Sequence, residues 1–268
     1  MKDELGDRIK GFYENRTRTF LPRRTFTIIR IDGKAFHTYT RGLKRPFDQD
    51  LIDDMDATTK FLCEGIQGVK FGYIQSDEIS LLLTDFEKVT TDAWFDGNVQ
   101  KMASISASMA TGKFNELRAM RCVKKRLAFF DSRVFTIPSV EEVINYFIWR
   151  QQDATRNSIQ SVGYSLYPHE KLKGVKTDEM QEYIFKKGVN WNDFPIGQKR
   201  GRTVVKLDTL VEVKPEAYNK SKNKSNFIIK NDKFFVERNQ WTVVEPPIFT
   251  KDKDFIRNEI LPNKLKEA

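Results

Sequence analysis

The 268-residue chain holds only two cysteines, Cys63 and Cys122, and two histidines, His37 and His169. Two thiols without CxxC spacing support neither a disulfide framework nor a zinc knuckle. A histidine nucleophile or zinc site has equally little to draw on. Both cysteines read as small core residues in a reducing compartment, and His169, beside Pro168, as a surface loop residue. Long apolar runs are also missing: Leu81-Leu82-Leu83 is typical of the longest, far short of the roughly 20 residues that span a bilayer. The opening Met1-Lys2-Asp3-Glu4 is charged from its second residue and carries no signal-like apolar region, so a cytoplasmic, membrane-free protein is expected. No internal repeat is visible.

What is plentiful is positive charge. Lys and Arg number 46 against 37 Asp and Glu, a net +9. Clustered cations gain free energy by displacing phosphate counterions, so a polyanionic partner is favoured, although basicity alone does not decide it.

Periodicity gives the order of elements. Residues 3–15 form an amphipathic helix with Leu5, Ile9, Phe12 and Tyr13 on one side. A compact β-branched strand spans 26–32, and a helix with Leu51, Ile52, Met55 and Leu62 as its stripe spans 48–65. Two short strands, 70–74 and 78–83, meet at Gln75-Ser76-Asp77. Helical spacing of Phe95, Val99, Met102, Ile105 and Met109 covers 92–114, and a last strand falls near 129–137. That order, β-α-β-β-α-β, predicts an α+β fold: a ferredoxin-like antiparallel sheet with helices on one face. Ser139-Val140-Glu141-Glu142 is a capping box opening a long helix to about 165. Trp149 reads as one of its core residues. A short helix at 176–187 and a basic, strand-poor tail follow, with 218–226 as a polar loop. Two regions are expected: 1–138, catalytic, and 139–268, the long helix and an extension packed on it.

In this topology the first and third strands are central neighbours. Asp32, at the end of one, and Asp77, before the other, then converge at one edge. Paired carboxylates repel unless a cation neutralises them. Hard oxygen ligands suit magnesium, which takes one or two carboxylates and leaves its other positions to water and phosphate; two such ions activate a hydroxyl and stabilise a pyrophosphate leaving group. Taken singly, Asp32-Gly33 is also a common strand-ending turn and Ser76-Asp77-Glu78 a plain hairpin. It is their expected juxtaposition that tips the balance. Lys101, Ser104 and Ser108, at i, i+3 and i+7, place an ammonium and two hydroxyls on one helical face, suited to a triphosphate or simply to solvent.

Several ordered motifs resemble the tRNA(His) guanylyltransferase family: Ile31-Asp32-Gly33-Lys34-Ala35-Phe36-His37, Arg45-Pro46-Phe47-Asp48 and Tyr73-Ile74-Gln75-Ser76-Asp77-Glu78-Ile79-Ser80. Lys101-x-x-Ser104-x-x-x-Ser108, Phe130-Asp131-Ser132-Arg133 and Trp149-Arg150-Gln151-Gln152-Asp153 continue the pattern. The likeness spans roughly 5–165, and more loosely Lys199-Arg200-Gly201. It implies a palm similar to that of polymerases and nucleotidyl cyclases, with two magnesium ions on Asp32, the Gly33 carbonyl and Asp77, and Glu78 in support. It further implies triphosphate binding by backbone groups of Lys34, Ala35, Phe36 and His37, and nucleotide contacts from His37, Arg45 and Ser104. Ser76 and Lys101 match positions tied to 5′ activation. ATP adenylylates a tRNA 5′ monophosphate, the 3′-hydroxyl of an incoming GTP or other nucleotide attacks that phosphate, and pyrophosphate is later removed from the new end; a 5′ triphosphate bypasses the first step. A homotetramer built of dimers is implied as well.

Two departures stand out. Arg45 replaces the family's phosphate-facing Lys, keeping charge but changing donor geometry. Where tRNA(His)-selective members carry His-Ile-Asn-Asn-Leu-Tyr-Asn, this chain reads Thr155-Arg156-Asn157-Ser158-Ile159-Gln160-Ser161, with only Asn157 matching. That variant resembles the bacterial and archaeal guanylyltransferase-like branch, which extends 5′-truncated tRNA by templated pairing. Arg133, Arg150, Arg156, Asn157, Lys199 and Arg200 are the candidate RNA or subunit contacts, the basic 199–202 cluster being equally readable as a solvated turn. A cyclase-like enzyme and a noncatalytic RNA-binding scaffold are the alternatives.

Overall fold

The computed structural model describes residues 3–123, 126–221, 224–231 and 233–260. Helix α1 (Glu4–Phe12) is capped by Asp3, whose carboxylate accepts from the Gly6 N–H at 2.9 Å. It stops short of the expected residue 15, and its side chains Leu5, Ile9 and Phe12 are open to solvent. Strand β1 (Phe26–Gly33) leads through the single turn α2 (Phe36–Tyr39) to α3 (Gln49–Gly65). Then come β2 (Val69–Gln75), β3 (Glu78–Leu83), α4 (Val99–Met120) and β4 (Phe130–Ile137). Their spatial order is β4-β1-β3-β2, with every neighbour antiparallel, as the ferredoxin-like reading requires.

The central strands are buried on both faces, which is why their sequences run nearly unbroken in apolar residues. Ile29, Ile31, Ile74, Ile79, Leu81 and Leu83 join one core cluster with Met55 and Leu62 of α3 and Met102, Ala110 and Phe114 of α4. The two crossover helices thus share one face. Asp54 of α3, almost fully buried, ties them together through Arg118 at 2.9 Å and Arg121 at 2.7 Å.

Helix α4 starts later than the spacing predicts. Phe95 and Asp96 take left-handed backbone angles in a short 3-10 turn, and the Asn98 side chain caps the helix by accepting from the Lys101 N–H. Ile105 consequently falls on the exposed side while Ser106 faces in. Cys63 is buried as expected, but Cys122, just beyond the helix, is exposed.

The second region departs most from expectation. Helix α5 (Val140–Leu166) packs Val143, Ile144, Phe147 and Ala154 on the opposite sheet face, against Ile28, Phe71, Tyr73 and Leu82. After α6 (His169–Leu172), α7 (Thr177–Phe185) and α8 (Ile196–Arg200), the supposedly strand-poor tail supplies three strands: β5 (Arg202–Val213), then, following α9 (Pro215–Lys220), β6 (Phe227–Lys230) and β7 (Lys233–Val244). They extend the same sheet in the order β2-β5-β7-β6. Strand β5 meets β2 only at Arg202, Thr203 and Val204, and its remainder pairs with β7 as a projecting arm. Residues 218–226 are not simply a loop. Tyr218 packs on Phe234 and Phe227, 4.4 and 5.2 Å between ring centroids, and a 3-10 turn covers Lys224–Asn226; residues 222 and 223 lie outside the described residues. Helix α10 (Asp254–Ile260) returns to the α5 face through Ile256 and Ile260.

Candidate active site

Strand β1 and the β2–β3 turn end at the same rim. The Gly33 N–H donates to the Asp77 carbonyl at 3.2 Å, and Asp32 lies in register with Glu78 on one side and Asp131 on the other. Four acidic residues, Asp32, Asp77, Glu78 and Asp131, therefore lie along this edge. Burial, with Asp32 and Glu78 nearby, pushes the Asp77 carboxyl up to about 6, against the pull of the Ser76 hydroxyl donating at 2.9 Å. Arg133 is the nearby cation, its Nη2 3.9 Å from Asp32 and 3.7 Å from Asp131.

Local geometry explains the residue types. Ser76 and Ala35 both adopt left-handed backbone angles, φ 49° and 53°, uncommon for residues with a side chain. Such outliers persist where the surroundings over-determine them. Gly33 is needed because a Cβ there would lie 2.3 Å from the Phe36 ring. Phe36 is fixed in turn by Tyr39, Phe114 and Phe130, ring centroids 4.9 to 5.7 Å away. The Lys34 N–H is already committed to the Phe129 carbonyl at 2.8 Å, so the expected phosphate cradle loses that donor; Ala35, Phe36 and His37 remain at the start of α2.

Beside the rim opens a cleft of about 410 Å3, lined among others by His37, Arg45, Ser76, Asn157, Gln198 and Arg202. The first four were singled out from sequence, and they arrive from four separate segments. Arg202 is anchored by Asp56 at 2.5 Å, and Gly201 lets this segment approach β2, since a Cβ would stand 2.5 Å from the Ile74 carbonyl.

Other expectations are corrected. Lys101 and Ser104 are exposed on α4, near the sheet end where Met102 lies with Thr27 and Leu83 around a small cavity. From Thr27 to Asp32 the strand covers about 17 Å at ~3.3 Å per residue, so within one chain these two residues stand apart from the rim. Arg150 is not an RNA contact. It is 4% exposed, donating to Glu78 at 2.8 Å and to Asp153 at 2.5 Å. With Arg30 3.6 Å away, it holds Glu78 beneath the rim, although burial still raises that carboxyl. Lys199 is likewise buried, its ammonium donating to the Asn192 carbonyl at 2.6 Å. Arg156 is exposed and pairs with Asp153, which Asn157 also approaches. Arg200 is half-buried, 5.5 Å over the Trp191 ring. Trp149, expected in the core, is half exposed.

Sequence reasoning gave no role to Arg30, Gln75 or Asp153, and read Arg202 only as part of the basic 199–202 cluster. Arg30 had a signal: two residues before Asp32 on a strand, it shares that residue's face. Among the described residues no three His, Cys, Asp or Glu side chains are grouped to cage a metal. The rim instead offers the Asp32 and Asp77 carboxylates with main-chain oxygens, an incomplete set that fits an ion completing its shell with water and phosphate.

Residues 6–138 match the family described as Thg1, tRNAHis guanylyltransferase. A bacterial tRNA(His) guanylyltransferase (Thg1)-like protein in complex with ATP is 42% identical, with 97% of this chain and 100% of that one covered and a TM-score of 0.82. The corresponding complex with GTP has the same identity and coverage and a TM-score of 0.76. The tRNA(His) guanylyltransferase of Candida glabrata is 26% identical over 217 residues, 73% of this chain and 88% of that protein. The chain belongs to the tRNAHis guanylyltransferase family of nucleotidyltransferases.

Proposed function

We propose that this protein adds nucleotides to the 5′ end of tRNA in the 3′–5′ direction, repairing 5′-truncated tRNA by templated pairing. The observation carrying this reading is the convergence of Asp32 and Asp77 at a rim that opens onto the cleft with His37, Arg45 and Ser76. Asp32, Asp77 and the Gly33 carbonyl would hold two magnesium ions. Magnesium bound there would neutralise triphosphate charge and favour ionisation of an attacking hydroxyl.

The chain's own groups do the positioning. The Ser76 hydroxyl fixes the Asp77 carboxylate. Glu78, clamped by Arg150 and Arg30, supports the rim from below rather than facing the ligand. His37, Arg45 and the first N–H groups of α2 receive the triphosphate. The nucleoside lies in the cleft toward Asn157. Exposed Arg133 and Arg156 meet RNA phosphates. ATP and GTP are the expected substrates, and the ATP- and GTP-bound bacterial relatives support that. Lys101 and Ser104, remote from the rim, take no part in nucleotide addition within one chain.

Repair is favoured over obligatory guanosine addition because Thr155-Arg156-Asn157-Ser158-Ile159-Gln160-Ser161 lacks the run of the tRNA(His)-selective enzymes. The deciding experiment offers labelled GTP, CTP, ATP or UTP to tRNAs lacking their first nucleotide. Addition of whichever nucleotide pairs with the opposing base is expected. Guanosine added to full-length tRNA(His) alone, whatever the template, would overturn the repair reading.

A further inference from the structure

Trp149 is a large aromatic near the rim that, like Phe129, is left half open. It is 50% exposed. A lone exposed apolar residue means little, but this ring is held in a fixed setting. The Arg150 guanidinium lies 4.1 Å from the ring centroid and is itself anchored by Glu78 and Asp153. Tyr146 meets the indole edge-on at 5.9 Å. The Arg30 guanidinium stands 5.9 Å from the same ring.

These contacts place the indole relative to the carboxylates. Arg30 precedes Asp32 by two residues on the same strand face, a rise of about 7 Å. Arg133, in register with Arg30 across β1 and β4, reaches toward Asp32. The Arg30 guanidinium thus links the Trp149 ring to the strand end that carries Asp32. Around them, Arg133 and Arg156 expose 53% and 59% of their side chains, with Asp131 and Asp153 as the acidic neighbours. Arg156 follows Trp149 by seven residues on α5 and so shares its side of the helix. A rigid indole flanked by cations beside a phosphate-handling site matches how single-stranded ends are gripped: a base stacks on the ring while its phosphates meet arginines.

We propose that the open face of Trp149 stacks on the terminal base of the RNA end being extended, setting its 5′ phosphate over Asp32 and Asp77. The inference rests on the 5′-extension reading and adds the element that aligns the RNA. It assigns to Trp149 a part in RNA binding, distinct from nucleotide binding in the cleft.

The test compares Trp149→Phe, Trp149→Leu and wild type on a tRNA lacking its first nucleotide. Leucine keeps apolar contact with Tyr146 but cannot stack; phenylalanine can. Trp149→Leu is expected to raise KM for the RNA about ten- to a hundredfold, with KM for the nucleotide unchanged, and Trp149→Phe to restore most of the loss. Addition of the RNA should also quench a tryptophan fluorescence component that is missing from Trp149→Phe. Equal RNA KM values for the leucine and phenylalanine variants, in an enzyme that extends, would overturn the stacking role and leave the 5′-extension reading standing. Quenching by RNA in a wild-type protein that never extends it would do the reverse. A changed sedimentation coefficient for Trp149→Leu with RNA KM unaltered would make Trp149 a subunit contact and end the proposal.

Discussion

The Gly33 N–H donates to the Asp77 carbonyl at 3.2 Å, locking the last residue of β1 to the turn before β3. This bond brings together two acids 45 positions apart. Replacing either with its isosteric amide removes charge but keeps shape. Asp32→Asn and Asp77→Asn are each expected to lower nucleotide incorporation at least about a hundredfold, with circular dichroism unchanged. Activity within a fewfold of wild type in either variant would remove the metal-site assignment.

Asp77 also makes a stability prediction. Its carboxyl is raised from 3.8 to about 6 by burial and by neighbouring acids. Between pH about 4 and 6 the folded chain keeps a proton that the unfolded chain releases, so this group's contribution to stability falls as pH rises through that window. Without divalent cations, Asp77→Asn is expected to melt higher than wild type at pH 8, with the gap closing below pH 6. Magnesium should stabilise wild type selectively, since it binds only the native arrangement. Calorimetry at pH 5 and pH 8, with and without magnesium, checks both signs.

Arg150 and Arg156 separate a structural arginine from an exposed one. Arg150→Ala leaves Glu78 and Asp153 without their buried partner and is expected to cost about 3–5 kcal/mol. Arg156→Ala is expected to cost less than about 1 kcal/mol, while weakening RNA binding. Urea unfolding of the two variants measures the difference, and equal costs would contradict the burial described for Arg150.

Lys101→Ala tests the other end of the sheet. Addition to tRNA already carrying a 5′ triphosphate is expected to stay within about twofold of wild type, because no group at the rim depends on this side chain. A large loss on that substrate would mean that Lys101 reaches the rim by a route a single chain does not provide.

Much of this site was legible because strands buried on two faces write themselves plainly. The apolar runs at 26–32 and 78–83 placed β1 and β3 almost to the residue, and the strand order then forced Asp32 toward Asp77. Arg150 was misjudged although its spacing was informative: Val143, Phe147, Arg150 and Ala154 form one inward stripe, and Trp149 falls just beside it. Lys199 hid its burial because a long stem and one carbonyl suffice to satisfy an ammonium. The tail's strands were overlooked for their charge. Yet Val211-Glu212-Val213 alternates as strands do, with Glu212 outward. The remote position of Lys101 follows from topology alone, since the chain leaves β3 at Leu83, the end opposite Asp77.

The pairing of β5 with β2 has a consequence for biosynthesis. Residues 72–74, whose strand leads directly to the turn bearing Asp77, find their outer neighbours only at residues 202–204. A growing chain on the ribosome that has emerged through β4 thus holds both aspartates but an open sheet edge. The cleft beside the rim gains the wall formed by Gln198, Gly201 and Arg202 only after residue 202 has been made.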